Sequence, residues 1–185
     1  MGFFNKTKDE PEVTLPVNDA ERWIASTYAI WSEYCGGSYK YLGGYEKTKS
    51  NAKMISRVLR GDWLVKDHDS GVEMIQYLLK NAGSKDGAED TSVDTTAFDY
   101  ACACNMCGRM FIAGYFTREE SIRYATEAAK KIQENYHSWE EYFKAYIIGA
   151  AGGSNIKEIA PFESAYDKFR NNPDSPLHLA WDTRL

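Results

Sequence analysis

Apolar side chains in this chain return at steps of three and four, and the stretches they form open on residues suited to capping a helix. Thr117–Glu120 (TREE) and Ser138–Glu141 (SWEE) are capping boxes, in which a hydroxyl and a glutamate three residues on satisfy free amides of the first turn. Ile122, Ala125, Ala129, Ile132 and Tyr136 follow the first box, and Trp139, Tyr142, Phe143, Tyr146 and Ile147 follow the second. Two helix starts about twenty residues apart predict an αα-hairpin, its second arm stopped by GAAGG at 149–153.

The same pattern runs through the rest of the chain. Asn18, three residues before Glu21, opens a predicted helix carrying Trp23, Ile24, Tyr28, Trp31 and Tyr34, which ends in CGGSY at Cys35–Tyr39. A second helix is predicted over Glu46–Arg60, with Ala52, Ile55, Val58 and Leu59 inward and Gly61 closing it. A third covers about Ser70–Asn81 with Val72, Ile75, Leu78 and Leu79, and Gly83 follows. Pro161 suits the first turn of a last helix carrying Phe162, Ala165, Tyr166 and Phe169. Strand-like alternation is nearly absent and no repeat of fixed period is found, so the expected fold is all-α, a single compact multi-helix orthogonal bundle.

With 185 residues, 43% hydrophobic and 14% aromatic, the chain suits one domain that buries a core without disulfides. Residues 1–17 read as an N-terminal extension and 18–185 as the domain, with a mobile connection at 83–96 made of turn formers and acids. No apolar run suits a signal peptide or a membrane span, which predicts a cytoplasmic protein that does not engage a membrane. The charge of −5 is uneven: residues 1–82 carry 11 basic and 11 acidic side chains, residues 83–185 carry 11 and 16. That excess favours a basic partner over nucleic acid. Lys49, Lys53, Arg57 and Arg60 align on one helix face, but without the aromatic or glycine pattern of a nucleic-acid module they read as a solvated face.

Three of the four cysteines, Cys102, Cys104 and Cys107, crowd into DYACACNMCGRM. On a helix, Cys102 and Cys104 project about 200° apart, so they cannot approach one ion together, whereas Cys104 and Cys107 can. A structural zinc needs four ligands, and His68, His137 and His178 are scattered. The segment therefore reads as packing material, its small side chains letting a neighbouring helix come close, with no metal. Glu120 and Glu141 are engaged as caps, which leaves Asp99 as an acid inside an apolar helix, read as a hydrogen-bonded structural residue. No phosphate-binding glycine loop, His-Glu-x-x-His or Gly-x-Ser-x-Gly is present, so no catalytic residue and no cofactor is assigned.

The order AFDYACACNMCGRMFIAGYFTREES, HSWEEYFKAYIIGA, SPLHLAW, preceded by GDWLVKDHDSGVEMIQYLL, resembles the bacterial domain-of-unknown-function family 1266 over most of residues 20–182. On that resemblance Trp63, Asp99, Gly114, Tyr115, Ser138, Trp139, Tyr146, Gly149 and Trp181 occupy family positions, while Cys102 and Leu177 stand where the family has Arg and Trp. The resemblance carries no established reaction and implies, at most, an immunity or toxin-binding role. The expectation is a non-enzymatic protein-interaction domain, immunity-type, neutralising a basic partner or toxin steered by Asp86, Glu89, Asp90 and Asp94. The alternative is a small-molecule enzyme or ligand-binding domain with a pocket near Asp99, Tyr115 and Trp139.

Overall fold

A helix that is apolar round its whole circumference has to be enclosed by other elements. Thr96–Ala113 is such a helix: fourteen of its eighteen residues are buried, and the rest of the chain is arranged about it. The computed structural model describes residues 14–84, 93–153 and 159–185. Among these there are eight α-helices and no strand: α1 (Asp19–Thr27), α2 (Ala29–Tyr34), α3 (Lys49–Asp62), α4 (His68–Asn81), α5 (Thr96–Ala113), α6 (Arg118–Asn135), α7 (Trp139–Gly153) and α8 (Ala160–Asn171). Single 3-10 turns occur at Leu42–Gly44 and Pro176–His178. The all-α bundle is as the periodicity requires, and α5 meets α1, α3 and α4 on one hand and α6 and α7 on the other.

The caps sit where the sequence puts them. Asn18 accepts from the Glu21 amide and Glu21 from the Val17 amide, while Thr117 and Glu120 close a reciprocal box. Ser138 accepts from the Glu141 amide, and the Glu141 carboxylate reaches back to the His137 amide. A further box, Asp67 with Ser70, starts α4 two residues ahead of the expected position.

Three boundaries or pairings differ from expectation. The first amphipathic stretch is two helices, not one: the chain breaks at Tyr28, and the freed Thr27 carbonyl accepts from the Tyr142 hydroxyl at 2.8 Å. Gly61 lies inside α3, which ends at Asp62 and turns through Leu64 at a positive φ of 57°. α6 and α7 do not form the packed hairpin their spacing suggested; both lie on α5, and the long side-by-side contact is α5 with α6. GAAGG closes α7, whose last residue is Gly153. Its glycines are there for close approach, since a Cβ on Gly149 would lie 3.1 Å from the Asp94 carbonyl oxygen and one on Gly152 2.6 Å from Val93.

The tail is tied by tryptophans. Trp23, Trp139 and Trp181 pack with ring centroids 4.8–5.2 Å apart, and each indole N–H reaches a backbone carbonyl, of Trp181, Leu179 and Tyr136 respectively. Buried indoles satisfied in this way are packing anchors. At the other end, the Thr14 carbonyl accepts from the Leu42 amide and its hydroxyl from Lys47, so the last residues of the expected extension belong to the body.

Candidate ligand pocket

Along α5, Phe98, Cys102, Asn105 and Arg109 follow at steps of four, three and four and so share one face. Together with Ala101 and Met106 they form one wall of a cavity of about 310 Å³. Tyr28 and Trp31 from α1–α2, Leu59, Asp62 and Trp63 from α3, and Tyr146 from α7 form the others. Asp62 is exposed and Trp31 and Trp63 are half-buried, which puts the mouth at these three residues.

The inside of this hollow is unusual in its polar atoms. Arg109 is 8% exposed, Asn105 5% and Tyr146 0%, yet Arg109 Nε, Asn105 Nδ2 and Tyr146 Oη have no hydrogen-bond partner among the described residues. No carboxylate pairs with Arg109 there; its guanidinium meets the Cys35 thiol, a weak acceptor. Burial raises the pKa of that thiol, against a smaller pull downward from Arg109. Burial likewise holds the Tyr146 phenol well above its usual range, so it stays a neutral hydroxyl able to donate. An arginine is always charged, and leaving a buried charge without a counter-ion costs several kcal/mol by order of magnitude.

The opposite side of α5 is closed. Cys104 Sγ lies 3.7 Å from the Ala125 carbonyl oxygen, and the Ser121 hydroxyl donates to the Cys107 carbonyl at 2.9 Å. Gly108 and Gly43 touch backbone to backbone: a Cβ on Gly108 would lie 2.2 Å from Gly43 N. Burial pushes the Cys104 thiol up to about 12 and those of Cys102 and Cys107 far up as well, so none is a thiolate at neutral pH. All four cysteines are free, and no group of three or more potential ligands gathers for a metal among the described residues.

The residues named from the sequence are dispersed. Asp99 accepts from the Gly83 amide at 3.0 Å and the Thr95 hydroxyl at 2.7 Å, and so fastens the end of α4 to the start of α5. Burial raises its pKa, opposed by those two hydrogen bonds. Tyr115 follows Gly114, the left-handed cap of α5 at φ 80°, which puts Asp99 and Tyr115 about 24 Å apart along the helix axis. Trp139 belongs to the tryptophan cluster. The cavity on Asn105 and Arg109 is lined by none of Asp99, Tyr115 and Trp139 and lies one helical face away from Asp99. Ser138 caps α7, Gly149 admits the chain near Asp94, and Trp181 anchors the tail, whereas Trp63 and Tyr146 reach the cavity.

Of the steering acids, Asp94 is exposed and its carboxylate accepts from the Thr96 amide and hydroxyl; Asp86, Glu89 and Asp90 lie outside the described residues. Lys49, Lys53, Arg57 and Arg60 are exposed on α3. No helix among the described residues is long and apolar enough to cross a membrane.

An all-α protein with a donor-lined internal pocket is the class these features define. The chain belongs to the DUF1266 family, described as proteins of unknown function, whose model matches residues 84–181. That span takes in Asn105, Arg109 and Tyr146 but not Trp31, Asp62 or Trp63, and it begins well after residue 20, where the likeness was placed from the motifs. No curated protein and no solved structure matches the chain.

Arg109, Asn105 and Asp62 were not singled out from the sequence, whereas Trp31 was read as a packing aromatic of the first helix. A signal was present for two of them: Asn105 and Arg109, four residues apart in a helix otherwise apolar all round, have no solvent-facing side to go to.

Proposed function

We propose that this protein is a small-molecule-binding domain whose ligand enters between α3 and α2 and settles against α5. The observation that carries this reading is the convergence of Arg109, Asn105 and Tyr146, each at least nine-tenths buried and each with an unpartnered polar atom, on one cavity. Native interiors leave few such atoms, and a cluster of them calls for an explanation beyond packing. At about 310 Å³ the cavity is at the small end of ligand pockets, which suits a metabolite rather than a peptide. The lining holds neutral thiols and no activated nucleophile or general base, so the reading is of binding.

The protein-interaction reading, with an immunity-type role, rests on the acid excess of residues 83–185 and gains no geometric support from Asp94, whose carboxylate is engaged by Thr96. A bacterial, cytoplasmic origin is part of the proposal on the resemblance and the sequence expectation alone.

The test is a mixed fragment library against the ¹⁵N-labelled full chain. Fragments that bind should shift the indole N–H signals of Trp31 and Trp63 and the Asn105 carboxamide. If bound fragments move only signals remote from these, or none bind, the reading fails.

A further inference from the structure

Among the described residues, the three fully buried side-chain atoms of the cavity that have no partner can all donate: the Arg109 Nε, the Asn105 Nδ2 and the Tyr146 hydroxyl. The one permanent charge inside is positive, and the one carboxylate in the lining, Asp62, is at the exposed rim. The remaining walls are aromatic or aliphatic, with Trp31, Trp63 and Phe98 presenting rings.

We propose that the ligand is a small flat monocarboxylate, its carboxylate held by Arg109, Asn105 and Tyr146 and its ring against Trp31 and Trp63. This rests on the ligand-binding reading above and specifies its chemistry. A guanidinium is a planar fork matched to a carboxylate, and away from water their attraction is only weakly screened. An anion there supplies the counter-charge that the fold withholds from Arg109. Indole faces favour a flat ring over a branched aliphatic body. Asp62 sets the charge limit: a ligand with a second negative charge, such as a phosphate ester, meets a like charge at the mouth. The volume also disfavours dinucleotides and larger cofactors.

The experiment is isothermal titration of the full chain with four matched probes: 2-naphthoate, 2-naphthamide, 2-naphthyl phosphate and 2-naphthylmethylammonium. The carboxylate should bind about tenfold or more tighter than the other three, the usual worth of a charge-assisted contact. Arg109→Gln should lose that advantage, bringing naphthoate to within about twofold of naphthamide. Asp62→Asn, at an exposed position where folding is not at stake, should leave naphthoate within about twofold and improve naphthyl phosphate several-fold. Equal binding of amide and carboxylate, or preference for the phosphate or the ammonium probe, overturns the monocarboxylate while the pocket reading survives. If no naphthyl probe binds although fragments move the Trp31 and Trp63 indoles, the proposal also falls by itself. Should Arg109→Gln fail to fold, the Asp62→Asn series and the wild-type ranking decide.

Discussion

Where α5 meets α6, Cys104 lies against the Ala125 carbonyl and Ser121 donates to Cys107, and where it meets the 3-10 turn Leu42–Gly44, Gly108 touches Gly43 with no room for a methyl group. Where the same helix meets α3 and α7, Asn105 Nδ2 and Arg109 Nε look into a hollow with no partner among the described residues. The two sides carry similar burial, so exposure does not separate them; what separates them is whether each polar atom has a partner. Small side chains let backbones approach until carbonyls and hydroxyls find one another, whereas a long arginine facing aromatic rings holds its neighbours apart. A protein can therefore close one flank of a central helix and keep the other open for a guest.

The sharpest way to break this contrast is Gly108→Ala. The new methyl would meet Gly43 N at 2.2 Å and Gly43 Cα at 2.5 Å, both main-chain atoms that cannot swing aside. Overpacking of this kind should cost about 3 kcal/mol or more in urea unfolding, and a loss under about 1 kcal/mol would mean the closed flank is looser than described. On the hollow flank the sign should reverse. Arg109→Met removes an unpaired buried charge and keeps the apolar bulk, so the ligand-free protein should gain about 1–2 kcal/mol. A loss of that size would reveal a counter-charge on Arg109 and erase the difference between the flanks.

A smaller effect comes from the partnered acid of the same helix. Burial raises the Asp99 pKa in the folded protein, so its contribution to stability is full when it is protonated and is lost as pH rises through the folded value. Asp99→Asn keeps an oxygen for the Gly83 amide and the Thr95 hydroxyl without the charge. It should equal or exceed wild type at pH 7, with the gap closing as pH falls through the carboxylate range. Asp99→Ala strands both donors and should cost about 1–2 kcal/mol at either pH. Parallel stability curves for wild type and Asp99→Asn across that range would contradict the buried-acid account.

Much of the architecture was legible because helix signals are local. Asn18, Thr117 and Ser138 cap the helices they precede, and a cap involves only its own first turn. The errors arose where one signal has two meanings. Glycine marks helix ends and also occurs within helices, and Gly61, expected to close α3, lies inside it. Sequence neighbours often pair in space, but α6 and α7 each gain more by lying on α5 than on each other. The Thr27–Tyr28 break depends on a hydroxyl 115 residues away and leaves no local trace.

For the site, Cys104 and Cys107 of DYACACNMCGRM are buried in the packed interior, while Cys102, Asn105 and Arg109 in that same stretch line the cavity. Pattern and composition were enough to determine an all-α chain with helices at nearly these positions and a central helix too apolar to face water. Only the packed structure decided that Asp99 would find two hydrogen-bond donors and that Arg109 would meet no carboxylate among the described residues. Whether a buried charge meets a counter-charge depends on which distant side chains the other helices deliver beside it, and that is a property of their arrangement, not of any segment read alone.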